Sequence, residues 1–397
     1  MRTSCRACNG SDLQRVLDLG QLPLAGGFLV DQNAFATEKF YTLAIHSCKT
    51  CGLVQMLNSV EPDILFQNYS FSSSTVKPLV EHFTAYATWI VKNFKPKTVV
   101  EFGCNDGVLL LPLEKLGIKA IGVDISSNIT ALARNKGLDV ITGHFDLEVA
   151  RNIYERVGKV DVVTGSNTFA HNDQPEKILE AANLLLSDDG YLCLEFMYAG
   201  DLLEQLQWDT LYHEHLTFYT LSALQILLKK YDFYVVAVER LPMHGGSLRV
   251  CAGRKQKTVF PSVDALLQYE KEKELTKLTT WLEFAQNSLH RIAIVHDVFG
   301  ALQQHYNIWA YGAAGKATMW VNACQMHYLG GVVEESPLRA GKFMPGTHTP
   351  VVFPEQFKKT IPDYVLITAW NYAKLIRSKE HWFKGTWAVP LPDLRFF

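Results

Sequence analysis

The sequence predicts an α/β protein in three parts. These are a small N-terminal four-cysteine module, a doubly wound parallel-sheet domain, and a second, smaller Rossmann-like domain at the C-terminus. Three observations predict it. Two CxxC pairs, Cys5/Cys8 and Cys48/Cys51, stand near the start of the chain. From residue 98 apolar strands alternate with amphipathic helices around a glycine turn. From residue 307 a second alternating unit follows a charged helical stretch. Alternation of this kind builds parallel sheets. The three parts divide the chain at 1–70, 71–255 and 256–397.

The 397 residues are 48% hydrophobic and 20% charged, which supplies a core and excludes intrinsic disorder. A net charge of −2 leaves no basic surplus for a phosphate backbone, so nucleic acid is not an expected partner. The first residues lack the apolar h-region of a signal peptide, and no stretch reaches the ~18 apolar residues of a membrane span. A soluble, cytoplasmic protein is expected, with no membrane partner.

In an intracellular chain, paired CxxC motifs point to metal rather than disulfides. Each pair is a knuckle. A glycine follows closely (Gly10, Gly52), and a basic residue inside it (Arg6, Lys49) favours thiolate. Four thiolates saturate Zn²⁺ tetrahedrally, so Cys5, Cys8, Cys48 and Cys51 predict a closed, structural site. The thirty-nine residues between the pairs must form a small module of their own. Neither pair opens a helix after a strand, which argues against a redox motif. Cys104, Cys193, Cys251 and Cys324 are expected to be small buried hydrophobes.

The first strand of the middle domain, 98–102, runs into the turn Gly103-Cys104-Asn105-Asp106-Gly107. Glycine there lets a ligand approach the backbone at the carboxyl end of a parallel strand. The turn is not GxGxxG, and no Walker lysine follows. A second strand, 120–124, ends in Asp124, an acid able to accept from ribose hydroxyls. A third, 138–143, leads to His144-Phe145-Asp146, and a fourth, 160–164, to Asn167 and His171. An amphipathic helix over 175–187 precedes a fifth strand, 190–196. The set Glu101, Gly103, Gly107 and Asp124 resembles class I S-adenosylmethionine-dependent methyltransferases. The resemblance marks Glu101, Gly103, Asn105, Gly107, Asp124, Phe145 and Asn167 for the cofactor. An unrelated Rossmann-like domain binding NAD, or nothing, is the plain alternative.

Three further stretches narrow the resemblance: YSFSSST at 69–75, YHEHLTFY at 212–219 and MHGGSLR at 243–249. With the CxxC pairs and the glycine turn, this order resembles the sugar 3-C-methyltransferases of dTDP-deoxysugar biosynthesis, over essentially the whole chain. The resemblance implies a dTDP-linked 4-keto-6-deoxyhexose methylated at C3, with S-adenosylmethionine and structural Zn²⁺ as cofactors. It implies that His215 is the base, with Glu214, Tyr212, His171 and Tyr69 lining the same site. Elementary chemistry agrees, because the 4-keto group acidifies the C3 proton and a base then leaves an enolate, a carbon nucleophile. Were YHEH extended, His213 and His215 would share one face, Tyr212 and Glu214 the other.

Plainer roles stand beside these. The HxH pair lacks a third ligand spaced to bind metal, and buried histidines are common in cores. Ser72–Ser74 suits an N-cap for a helix over 76–94. His244 and Ser247 belong to a substrate loop or to a simple glycine turn before a strand at 248–252.

The stretch 262–304 predicts a long bridging helix, with Lys271 to Glu274 on its solvated face. Strands at 307–312, 332–335 and 364–367 then frame the turn Gly312 to Lys316. Its amides and Lys316 suit a pyrophosphate, so the C-terminal domain is expected to help hold the sugar nucleotide. Family members often have Asp-Arg where this chain has Glu334-Glu335, which weighs against a phosphate role for that strand end. A monomer is expected, since three domains enclose the site. The competing functions are an NAD(P)-dependent sugar-nucleotide oxidoreductase using the C-terminal unit, an O-methyltransferase on the same substrates, and a zinc-ribbon adaptor or nucleic-acid methyltransferase.

Overall fold

A computed structural model describes residues 2–254 and 257–397. The boundary expected at 255/256 lies outside them. The module between the cysteine pairs is antiparallel: β1 (Leu13–Pro23) pairs with β2 (Phe40–Cys48), and β2 with β3 (Val54–Met56). Between β1 and β2 an arm reaches the C-terminal domain. Leu29 bridges Phe343, and the Glu38 carboxylate accepts from the Gly346 amide and meets His348 Nε2, each at 2.8 Å.

The middle of the chain supplies β4 (Thr98–Phe102), β5 (Lys119–Asp124), β6 (Val140–Thr142), β7 (Val160–Ser166), β8 (Leu186–Met197), β9 (Thr217–Phe218), β10 (Tyr234–Leu241) and β11 (Ser247–Gly253). Strand β9 pairs with β3 and completes the N-terminal sheet. The other seven form one sheet in the order β10-β11-β8-β7-β4-β5-β6, parallel from β8 to β6. Helices cover both faces of such a sheet, which explains why Val99, Val100, Val162 and Val163 form continuous buried apolar runs. The chain order reverses between β4 and β7. The carboxyl ends of those strands flank the crevice where α/β sheets take ligands.

The C-terminal domain repeats the plan. Strands β12 (Ile308–Tyr311), β13 (Val332–Val333), β14 (Val351–Val352), β15 (Tyr364–Ile367), β16 (Thr386–Val389) and β17 (Arg395–Phe396) lie in the order β14-β13-β12-β15-β16-β17. Only β17 is antiparallel. Its reversal falls between β12 and β15, where a Cβ on Gly312 would meet Ala369 Cβ at 2.7 Å. Loops from both reversal points wall one cavity.

The long bridging helix is two, Pro261–Glu272 and Leu278–Leu302. The break has a local cause: Glu274 turns left-handed (φ 51°), and Gly52 of the second knuckle packs against Thr276. Lys271 to Glu274 are exposed, as a solvated face requires. Trp281, Phe284 and Phe299 of the second helix share one core with Leu17 and Leu43 of the N-terminal sheet and with Ile308 and Met319. Among the described residues, no helix is long and apolar enough to cross a membrane.

Candidate active site

The four knuckle cysteines come together. Their Sγ atoms all lie within 4.8 Å of one another, with Cys5–Cys51 and Cys8–Cys48 at 3.5 Å. Tetrahedral Zn–S bonds of ~2.3 Å place sulfurs ~3.8 Å apart, so the cluster fits Zn²⁺ and not a disulfide. The Ala7 and Gly10 amides donate to Cys5 and Cys8 Sγ, the bonding that turns a knuckle toward thiolates. Cys104, Cys193, Cys251 and Cys324 are buried, as small hydrophobes should be.

The cavity, about 760 Å³, takes its wall from all three parts of the chain. Gly103, Asn105, Asp124, Phe145 and Asn167 form one end. Gly103 is left-handed (φ 66°), and a Cβ there would sit 2.5 Å from Thr168 Oγ1. Glycine therefore closes the crevice while leaving the backbone bare. Asp124 accepts the Asn105 amide on Oδ2 and the Ser126 amide on Oδ1, both at 2.9 Å. Each oxygen keeps a lone pair for a ribose hydroxyl. Phe145, stacked on Phe102 at 5.2 Å, supplies an apolar flank for a base. These residues fit an adenosine-bearing cofactor.

Three residues expected at the site are not on the cavity wall. Glu101 is buried beneath the turn with Oε2 unpartnered, and burial raises its carboxyl pKa well above the usual range. Gly107 (φ 81°) faces Leu138, whose Cδ1 would meet an added Cβ at 2.1 Å, so it serves packing. Ser247 donates its hydroxyl to the Met243 carbonyl at 3.1 Å and holds the turn that carries His244.

The serines at 72–74 do not cap the following helix, Lys77–Phe94, whose N-cap Val76 offers no side-chain bond. They clip the linker to the glycine turn instead. Ser72 Oγ donates to Asp106 at 2.7 Å, Ser74 also bonds Asp106, and the Ser73 amide donates to Asn105 Oδ1 at 2.8 Å. Asn128 grips both backbone groups of Tyr69, at 3.1 and 2.9 Å. So held, Tyr69 donates its hydroxyl to Glu214 Oε2 at 3.0 Å.

The YHEH segment is a turn rather than a strand, with the His215 amide donating to the Tyr212 carbonyl at 2.8 Å. The reversal abolishes the expected two-faced alternation. Tyr212, Glu214 and His215 all line the cavity, whereas His213 points to the N-terminal sheet, its Nε2 3.1 Å from the Tyr41 carbonyl. His215 Nδ1 lies 2.6 Å from the Thr210 carbonyl. A carbonyl only accepts, so Nδ1 carries the proton and Nε2 keeps its lone pair. Burial, reinforced by His171, holds the His215 imidazole well below its ordinary pKa. His171 stacks 5.0 Å away and is pushed down to about 4 by burial. Burial pushes Glu214 up to about 7.

The C-terminal wall brings His244, Lys316 and Arg339. Burial, then the charge of Lys316, pushes His244 down to about 4. Arg339 was not marked in the sequence. Its guanidinium donates to the Ala313 carbonyl at 2.9 Å and to Glu334 at 3.3 Å, leaving Nε buried and unpartnered. Glu334 also takes the Glu335 and Ser336 amides, all on Oε1, so that oxygen is tied to its own loop and to Arg339. The nearby arginine was invisible in sequence because it lies in the loop beyond the strand end.

Family models match three successive parts: a zinc binding domain over 5–66, a methyltransferase domain over 77–238, and a C-methyltransferase C-terminal domain over 242–392. C-methyltransferase NovU of Streptomyces niveus is 31% identical over 98% of this chain and 96% of its own. The ubiquinone biosynthesis O-methyltransferase of Cupriavidus pinatubonensis is 27% identical over 30% of this chain and 50% of its own. Magnesium protoporphyrin IX methyltransferase of Synechocystis PCC 6803, solved with bound S-adenosylhomocysteine, aligns at 18% identity and TM-score 0.36 over 44% of this chain and 83% of its own.

Proposed function

The chain belongs to the C-methyltransferase family and is an S-adenosylmethionine-dependent enzyme, and from that premise we propose that it methylates C3 of a dTDP-linked 4-keto-6-deoxyhexose through an enolate. The observation that carries the reading is His215: a buried neutral imidazole, Nδ1–H fixed on a backbone carbonyl, Nε2 free at the cavity. A carbon acid next to a ketone needs such a base. S-adenosylmethionine, when bound, supplies an electrophilic methyl group. Gly103, Asn105, Asp124, Phe145 and Asn167 would hold it, with Asp124 on the ribose.

His215 Nε2 takes the C3 proton, and the C–H electron pair becomes the C3–C4 double bond as the ketone oxygen takes the carbonyl pair. Tyr212, its ring 4.0 Å from that of His215, fixes the imidazole plane. Tyr69 and Glu214 form a hydrogen-bonded pair suited to a sugar hydroxyl. Zn²⁺ on Cys5, Cys8, Cys48 and Cys51 is structural and takes no part in a step. One chain walls the cavity, so the unit proposed to act is the monomer.

The test is incubation with a dTDP-4-keto-6-deoxyhexose in D₂O, with S-adenosylmethionine or S-adenosylhomocysteine. The expected outcome is deuterium at C3 of the recovered substrate with S-adenosylhomocysteine, and with S-adenosylmethionine a C3-methyl product that carries no hydrogen at C3. Methylation at oxygen without exchange at C3 would sink the enolate reading in favour of O-methyl transfer.

A further inference from the structure

Among the described residues the cavity wall carries two lysines, Lys177 and Lys316, and it is the charge of Lys316 that bears on His215. Lys316 is the second residue of the helix Gly315–Ala323, which follows β12. Its side chain is 12% exposed, and Nζ has no hydrogen-bond partner. Nζ lies 4.4 Å over the Trp370 ring and 3.9 Å from Asp209 Oδ1. Asp209 is fully buried, and its Oδ2 accepts the indole N–H groups of Trp320 (2.9 Å) and Trp370 (2.7 Å). The preceding residue, Gly315, presses on Tyr212: an added Cβ would lie 2.9 Å from its Cζ. Tyr212 in turn packs against His215, the two rings tilted by 37° with centroids 4.0 Å apart. The cation is therefore tied, through one backbone step and one ring, to the base.

A buried ammonium with no acceptor is costly unless a ligand brings one. Two acceptors are conceivable in a sugar nucleotide, the diphosphate and the ketone oxygen. The carboxylate at 3.9 Å decides between them. A permanent dianion would be repelled by Asp209, whereas a neutral ketone is not. The charge that develops on the ketone oxygen as its neighbour loses a proton is what an ion-paired ammonium stabilises selectively. Arg339 lines the same cavity, with its Nε unpartnered and its guanidinium held by Glu334 at 3.3 Å, so it is the more firmly paired of the two cations.

We propose that Lys316 is the oxyanion donor of the reaction, its ammonium hydrogen-bonding the substrate's ketone oxygen and stabilising the enolate as His215 removes the C3 proton. The proton rests on His215 Nε2, the C–H pair becomes the new double bond, the carbonyl pair moves to oxygen, and Lys316 keeps its own protons. The assignment rests on the enolate reading above.

The test compares wild type, K316M and K316R in two assays. One is C3 deuterium exchange of a dTDP-4-keto-6-deoxyhexose in D₂O with S-adenosylhomocysteine present. The other is calorimetric affinity for dTDP. Exchange should slow by about 100-fold or more in K316M, the scale of losing one oxyanion donor, and recover in part in K316R. Affinity for dTDP should be unchanged in both, which also reports that the variants are folded. K316M exchange at the wild-type rate, or a loss of dTDP affinity with exchange intact at saturating substrate, overturns the assignment alone. A wild-type protein that exchanges nothing overturns the enolate reading and this assignment with it.

Discussion

His215 donates its Nδ1–H to the Thr210 carbonyl at 2.6 Å, and that single bond decides which ring nitrogen is free to act. The carbonyl is well placed to be rigid. Thr210 bonds back to the Gln207 carbonyl through both its amide and its hydroxyl, and the adjoining Asp209 is braced by two indoles. Replacing His215 by Ala should therefore lower turnover by roughly 10²–10⁴-fold, the range for losing a general base. Affinity for S-adenosylhomocysteine should not change, because Gly103 and Asp124 lie on another stretch of wall. Single-turnover methylation together with calorimetry checks it, and equal losses in both would point to collapse of the site.

The Tyr69–Glu214 bond joins the linker to the turn that carries His215. Y69F leaves a buried carboxyl without its donor, for an expected loss of about 1–2 kcal/mol of stability. In a double-mutant cycle with E214Q, the coupling should fall within roughly 0.5–3 kcal/mol. Additive effects would mean that the bond seen here contributes nothing.

Glu214 also makes stability depend on pH. Burial pushes its carboxyl up to about 7, against 4.5 for an unperturbed glutamate. Between those values the folded protein holds a proton that the unfolded chain has released, so stability falls as pH rises through the window and the cost is complete above it. E214Q carries no such charge. The melting temperature of wild type relative to E214Q should drop between pH 5 and pH 8, by an amount corresponding to roughly 3 kcal/mol at most. A constant difference would show that the carboxylate is ionised and satisfied in the folded state.

What was legible in the sequence was whatever depends on local pattern. The strand expected at 98–102 is β4, and the strand at 364–367 is β15, because apolar runs bounded by turn residues need no tertiary information. The cysteine spacing likewise foretold the cluster. YHEH was misjudged in shape because nothing in Tyr212-His213-Glu214-His215 marks a turn: no glycine, no proline. Its reversal is held instead by contacts from elsewhere, such as the Leu216 amide on the Ala170 carbonyl. Asp106, Asn128 and Arg339 were missed for the same reason. Each is held by a partner distant in sequence, 34, 59 and 26 residues away.

The knuckle sequence hides one more tie, which makes metal removal informative. Arg6, between the first two cysteines, is buried. Its guanidinium donates to Asp173 Oδ1 at 2.6 Å and Gln55 Oε1 at 3.2 Å, and to the Met56 carbonyl. Asp173 follows His171 by two residues, so the knuckle braces the short 3-10 turn, Phe169–His171, that presents this histidine to the cavity. Two perturbations should then separate. Cys48→Ser or a strong chelator removes a thiolate or the ion, loosening the whole module and lowering both zinc content and turnover. R6A keeps four thiolates and should retain about one zinc per chain. It nonetheless loses charge-assisted bonds, for an expected cost of about 2 kcal/mol in urea unfolding, and lowers turnover through His171. Metal analysis, denaturation and turnover on the same preparations check this. If zinc-stripped protein methylates at the wild-type rate, the knuckle supports the fold elsewhere but does not position the wall.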